Sequence, residues 1–375
     1  PPKVREFLNW QSLSLTAGVL GSFVAGKVGG VLRPKRCSDT FENRITHSFG
    51  SRLYKDVIEP LCNKVWGDPA ELDPDFARMR FSVPTFVQWG KRWLGDKKAS
   101  HDKVFYYPRH GFQELWDRLA DFLTKQGVTL WCGAEVETIS IVSPDLESDR
   151  NRINSVEIKY RETLHRIYTQ WLVSTIPTDR FLPLVLAQDS CAEMALPTRG
   201  MLLVVFVLRR KRSLPARVVI LPEKKYHFNR LSELNQFSEL MAPPGWSVVQ
   251  ADILTEMDSQ LWCRSDSDIT EEIRAQILTL GFFQCDEIDL VHLCRVPAAY
   301  PVPTKKREKT QKRLNKMLSC FENLICTGRL ASSDYNNSHS ALNKGLAAAK
   351  SIVENRHPRD WYAMAEKLRH IPIRD

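Results

Sequence analysis

A mixed α/β fold, α+β in its local arrangement, is predicted for these 375 residues by three observations. Residues 1–95 carry mostly helical periodicity. Residues 104–132 carry a strand-helix-strand pattern. From Val136 onward, strand-like runs alternate with amphipathic helices at 269–280 and 342–353.

Thr40-Phe41-Glu42 marks a helix start, with Ser38 or Thr40 as the N-cap. Phe49, Leu53, Val57 and Leu61 then recur at helical spacing, and Pro60, Pro69 and Pro74 punctuate the chain beyond them. Val104–Tyr107 is a short strand ending at Pro108. Phe112, Leu115, Trp116, Leu119 and Leu123 share one face of a helix that Gly127 ends. Val128–Cys132, Val136–Val142, Ile153–Tyr160 and Ile167–Ile176 are strands, the last apolar enough to be buried, and Ser143–Asn154 is an exposed loop. Gly200–Leu208 and Arg217–Leu221 are expected to pair across the basic tip Arg209–Arg212. Trp246–Ile253 and Ile288–Val296 are further strands, with the helix Ile269–Leu280 between them. In the basic helix around Lys305–Lys316, Leu314 and Met317 turn inward and the charges face water. Leu324–Cys326 is short and extended. The last helix is expected to bury Leu342, Leu346, Ala349 and Val353.

The chain is 43% hydrophobic and 26% charged, an ordinary globular balance that can bury a core without disulfides. Its nine Cys are scattered and form no C-x-x-C pair, which argues against a zinc ribbon or dithiol motif and fits a reducing, cytoplasmic setting. No metal ligand spacing is found; His47, His101, His165 and His292 are read as structural. The net charge of +9 would attract phosphates or be a solvated surface, and no nucleic-acid motif accompanies it. Leu13–Leu32 is long enough for a membrane span, but its five Gly and Lys27 favour a buried or peripheral helix.

The strongest local signal is Ile325-Cys326-Thr327-Gly328-Arg329-Leu330, then Asp334 to Ser340, then a helix. A strand ending in Gly allows close approach to the backbone, and a helix start presents unpaired N–H groups to a phosphate or an electron-rich ring. Taken alone, a turn with a surface Arg explains the same residues. However, Gly328-Arg329-Leu330-Ala331 with Tyr335-Asn336-Asn337 and Ser338-His339-Ser340 closely resembles the C-terminal flavin-binding motif of the FAD-dependent amine oxidase, protoporphyrinogen oxidase and UDP-galactopyranose mutase superfamily. Phe49 to Tyr54 with Lys64-Val65-Trp66-Gly67, Tyr107 to Phe112, Ser174 to Pro177, and Phe228 to Glu233 with Trp262 and Ala299-Tyr300-Pro301 resemble further segments in the same order. The likeness covers most of residues 38–353. Between Asn337 and His339 the loop is one residue shorter than the family form.

The resemblance implies a two-domain flavoprotein fold: a helical segment at 1–100, a FAD-domain portion at 101–180, a mixed-sheet substrate domain at 181–305, a second FAD-binding portion at 306–355 and a tail at 356–375. It implies FAD as cofactor, with contacts at Val136, Pro177, Gly328, Arg329, Asn337 and His339. Lys64, Trp66, Arg230 and Tyr300 are substrate-side candidates. Each has a plainer alternative: a packing corner for Lys64 and Trp66, pairing with Glu233 for Arg230, and the core for Tyr300. The implied activity is that of a FAD-dependent oxidoreductase on a small-molecule substrate; a sugar-nucleotide mutase and a non-catalytic remnant are the rivals. The family's G-x-G-x-x-G turn does not occur in these residues, and the expectation is that it lies upstream. A member that has lost FAD is the other reading. No side chain declares itself an acid, base or nucleophile.

Overall fold

A computed structural model describes residues 40–81, 106–142, 150–186, 194 and 196–368. The Leu13–Leu32 helix, the start of the Val104 strand and most of the Ser143–Asn154 loop lie outside them. The helices are α1 (Phe41–Phe49), α2 (Glu59–Val65), α3 (Pro74–Arg80), α4 (Phe112–Lys125), α5 (Thr178–Val185), α6 (Asp266–Leu278), α7 (Arg307–Leu318), α8 (Ser338–Val353) and α9 (Pro358–Leu368). The strands are β1 (Glu135–Val142), β2 (Arg152–Tyr160), β3 (Thr163–Tyr168), β4 (Leu172–Ser174), β5 (Thr198–Leu208), β6 (Val218–Ile220), β7 (Arg230–Glu233), β8 (Ser247–Thr255), β9 (Ile288–Pro301) and β10 (Leu324–Cys326). Chain contacts divide the molecule into two compact units, each gathered from three stretches.

The first unit comprises the described parts of Pro1–Ala70, Phe81–Thr129 and Gly200–Pro297. Its centre is a five-stranded sheet in the order β6-β7-β8-β5-β9. Leu202, Val204, Phe206 and Leu208 alternate inward along β5, all fully buried, as a period-2 pattern requires. Ile269, Ile273 and Ile277 of α6 join the same core, spaced i, i+4, i+8 on one helix face. The Ser265 hydroxyl caps that helix, accepting from the Asp268 N–H at 3.2 Å. The expected β5–β6 pairing is not formed. β5 pairs antiparallel with β8, and β6 with β7; both edges of β5 are taken, by β8 and β9, so β6 has no edge of β5 to pair with.

Thr40 caps α1 as expected, accepting from the Asn43 N–H at 3.1 Å. Farther along, the inward face is not the expected one: Tyr54, Ile58, Cys62 and Val65 are buried, whereas Phe49, Leu53, Val57 and Leu61 are only partly covered. Gly50 interrupts the helix at φ 84°, and a π-helical turn at Tyr54–Ile58 resets its phase. α4 ends near Gly127 as expected, but Val128–Cys132 forms no strand.

The second unit comprises the described parts of Glu71–Arg80, Leu130–Arg199 and Ala298–Asp375. It holds the antiparallel sheet β1-β2-β3 and a two-stranded parallel pair, β4 with β10, registered Leu172↔Leu324 to Ser174↔Cys326. The expected strand Ile167–Ile176 is broken in two. At the break, the Thr169 hydroxyl turns back onto the Trp171 carbonyl at 2.6 Å. That run is not buried either: Ile167, Tyr168 and Val173 are exposed. Helix α9, read from sequence as tail, sends Trp361 and Tyr362 into the core, where the Trp361 indole donates to the Cys326 carbonyl at 3.3 Å.

Helix α8 forms with its faces exchanged relative to expectation. Leu342, Leu346 and Val353 are exposed, while Ser340, Lys344, Ala348 and Ser351 point inward. Small side chains let the helix lie close to its neighbours, and the buried Lys344 has a carboxylate to meet, Asp334. Among the described residues, no helix is long and apolar enough to cross a membrane.

Candidate functional site

Strands β4 and β10 run parallel and end together, with the Thr327 N–H donating to the Ser174 carbonyl at 3.0 Å. Ligands of α/β proteins collect beyond such carboxyl ends, where diverging chains leave a crevice. Gly328 follows at φ 86°, a left-handed conformation that a residue with Cβ adopts only with strain. The turn Gly328–Ala331 is held by α5, whose Thr178 hydroxyl donates to the Leu330 carbonyl at 3.3 Å.

Arg329 is fixed on two sides. Its guanidinium donates to the Asn336 carbonyl and lies over the Tyr300 ring, 4.8 Å from the centroid. Tyr300 stacks on Tyr335 at 5.5 Å, and Phe76 meets Tyr335 edge-on at 5.2 Å. Cation–π contact and backbone acceptance together give Arg329 a defined orientation while leaving it partly exposed.

The polar atoms around this turn are incompletely satisfied. Ser174 Oγ, Thr327 Oγ1 and both amide atoms of Asn336 are buried with no hydrogen-bond partner. Their residues are 4%, 4% and 7% exposed. Each such atom costs about 1–3 kcal/mol when left dry and unpaired, so their concentration at one strand end fits a bound polar ligand. Asn337 occupies the N-cap position of the sixteen-residue helix α8, whose N-terminal end follows this loop directly. These residues fit the phosphate-bearing part of a dinucleotide.

The loop behind them is held by buried charges. Asp334, 4% exposed, accepts from both Arg307 of α7 and Lys344 of α8, and Arg307 also donates to the Ser333 carbonyl. Ser333 sits at φ 45°, left-handed backbone that costs a non-glycine residue about 1–2 kcal/mol. Arg307 thus departs from the solvated helix face expected around Lys305–Lys316, although Leu314 is buried as expected. Cys326 is buried, and burial pushes its thiol up to about 12, which keeps it protonated.

Of the residues singled out from sequence, Val136, Pro177, Gly328, Arg329, Asn337, His339 and Tyr300 all belong to the second unit. Pro177 ends the crossover after β4 and accepts from Phe181 at 2.9 Å, opening α5. Val136 sits on β1 opposite Ile158, beside a register shift. His339 is exposed on the first turn of α8. Ser174, Thr327 and Asn336 lie in segments that the sequence marks but carry no contact assigned from it, and Arg307 and Lys344 lie outside those segments. The signal for the first three was hydroxyl and amide residues placed directly at strand and loop ends.

Lys64, Trp66 and Arg230 belong to the first unit. Lys64 donates to the Leu221 and Phe228 carbonyls at 2.8 and 3.0 Å. Arg230 pairs with the buried Asp252, not with Glu233 as sequence allowed. Glu233 is instead fully buried and accepts from the Ser213 and Leu214 N–H groups at 2.9 and 2.8 Å. Trp66 is buried against Phe81, the packing-corner geometry. Among the described residues no His, Cys, Asp and Glu cluster could hold a metal.

Burial lowers the Lys64 amine to about 8, with Glu223 opposing. The folded value lies below the ordinary lysine value, so the folded chain releases this proton more readily than the unfolded chain. Stability should therefore rise as pH climbs through about 8 toward the ordinary lysine range. Urea midpoints collected from pH 7 to 10 should show that rise, and Lys64→Met should flatten it. An unchanged slope in the variant would assign the titration to another group.

No family model matches the chain, and no curated protein matches it in sequence. Solved structures do. A reduced UDP-galactopyranose mutase superposes with a TM-score of 0.74 at 15% identity, over 96% of this chain and 76% of that one. A protein from an Exiguobacterium species assigned as a protoporphyrinogen oxidase gives 0.57 at 16%, over 85% and 68%. A putrescine oxidase redesigned for cofactor binding gives 0.56 at 12%, over 92% and 77%. The chain therefore belongs to the same fold class as these three structures. Within that class, the mutase superposes more closely than either oxidase.

Proposed function

We propose that the protein is a FAD-dependent oxidoreductase acting on a small molecule, with the dinucleotide seated where β4 and β10 end. The unsatisfied Ser174, Thr327 and Asn336 groups around Gly328-Arg329 carry this reading. FAD, when bound, supplies hydride transfer. The chain's own residues do the rest. Gly328 turns the backbone so that it can approach the ligand, and Arg329 meets negative charge with planar donors. The N-terminal end of α8 favours electron density nearby. Tyr300, Tyr335 and Phe76 form an aromatic group beside Arg329.

The substrate-side cations favour redox over sugar-nucleotide chemistry. Arg230 is neutralised by Asp252, and Lys64 is turned onto backbone carbonyls, so both are committed to protein groups rather than offered to a diphosphate. The mutase is the second reading, favoured by its TM-score of 0.74.

The protein should be expressed from its complete reading frame and loaded with FAD. Chemically reduced protein is then mixed with UDP-sugars while flavin absorbance and sugar ring form are followed. Substrate-dependent reduction of oxidised flavin by an amine or a tetrapyrrole, with no change in the sugars, is the expected result. Interconversion of sugar isomers without net flavin oxidation would replace it with the mutase reading. The 375 residues, in which no G-x-G-x-x-G turn occurs, should lose flavin on gel filtration; retention would show that such a turn is dispensable.

A further inference from the structure

We propose that Arg307 and Lys344, acting through their shared partner Asp334, are positioning residues that hold the 333–337 loop in the conformation that orients Arg329 toward a dinucleotide. The inference rests on the reading that FAD binds at Gly328-Arg329, and it adds to that reading what keeps the site in shape.

The loop has few internal means of holding itself. It closes with one backbone bond, from the Asp334 N–H to the Arg329 carbonyl at 2.9 Å, and another from the Ser333 N–H to the Leu330 carbonyl at 3.1 Å. Ser333 lies in the left-handed region without being glycine, so the local backbone favours another path. Asn336 spends its carbonyl on Arg329 and leaves its side-chain amide unpartnered. The conformation is therefore imposed from outside the loop, and the buried ions supply the constraint. Arg307, anchored on α7, grips the Ser333 carbonyl and one Asp334 oxygen; Lys344, anchored on α8, grips the other oxygen.

All three side chains are nearly fully enclosed, at 6%, 5% and 3% exposure for Arg307, Asp334 and Lys344. Buried ion pairs of this kind add little net stability compared with apolar packing, but they admit few alternative geometries. Two rigid helices gripping one carboxylate from different sides thereby fix the loop that orients Arg329. Asn337, the last loop residue, is covalently continuous with the helix that carries Lys344, so a shift of the loop would also move the start of α8.

Lys344→Met tests this, because it removes one cation and leaves Arg307 and Asp334 as a neutral pair. Lys344→Arg is the conservative rescue, and Arg307→Lys is a second, milder variant. Amide hydrogen exchange is followed by mass spectrometry on the protein expressed from its complete reading frame, alongside FAD affinity by fluorescence titration. Lys344→Met should speed exchange across 333–337 by about tenfold while β5 and β8 exchange as before. It should weaken FAD by about tenfold, and Lys344→Arg should restore both. In an Arg329→Ala background, Lys344→Met should add little further loss of affinity, because both changes act through the same contact.

Unchanged exchange at 333–337 would overturn the proposal, as would fully additive losses with Arg329→Ala. Global unfolding of both Lys344→Met and Arg307→Lys would also overturn it, by making the ions part of the core rather than a device for the loop. If the unaltered protein failed to bind FAD, the functional reading would fall, and the exchange result would still decide whether the ions position the loop.

Discussion

Asp334→Ala is expected to cost about 3–5 kcal/mol of folding stability, because it leaves Arg307 and Lys344 buried without their carboxylate. A domain of ordinary stability holds only about 5–15 kcal/mol in reserve, so the change should approach the limit of foldability. Asp334→Asn should be milder, since an amide oxygen can still accept one hydrogen bond. Urea unfolding of the variants against the unaltered protein measures the difference. A loss below about 1 kcal/mol would mean that water reaches the cluster and solvates the two cations.

Arg329→Ala should leave stability nearly intact and weaken FAD by about 1.5–3 kcal/mol, the range for a lost charge-assisted contact. That corresponds to roughly tenfold to a hundredfold in affinity. Arg329 is partly exposed and held by a ring face and one carbonyl, so removing it leaves no enclosed charge behind. Fluorescence titration of flavin into both proteins separates the outcomes. Equal affinity would make Arg329 a surface residue whose contact with Tyr300 is only local packing.

How far the sequence discloses this architecture depends on the range of the forces involved. α6 is legible because its own periodicity states which face is buried, through the i, i+4 spacing of Ile269, Ile273 and Ile277, whereas β5 is legible as a strand but not in its buried face, since Leu203, Val205 and Val207 are as apolar as Leu202, Val204 and Phe206. The order of the sheet is not legible, since β5 finds β8 and passes over β6, a choice made by distant partners. Helix α8 has a legible position and an illegible orientation. Hydrophobicity places Leu342 and Leu346 inside; the structure places Lys344 there because Asp334 receives it. At the candidate site, Gly328 and Arg329 stand out by residue type. Arg307 is not visible in the same way, as its role depends on a carbonyl at Ser333, far along the chain.

The pairing of β4 with β10 also has a consequence in time. Leu172 and Leu324 are hydrogen-bonded neighbours although ~150 residues of chain separate them, so their contact is among the slow, non-local ones. On a ribosome adding about 5–20 residues per second, β4 is made roughly 8–30 s before the strand it needs. In that interval the 200–297 stretch of the first unit is synthesised and can close its five-stranded sheet, apart from the end of β9. The strand end that bears Thr327 and Gly328 is therefore expected to join a chain already partly folded, with the Gly328 turn assembled late.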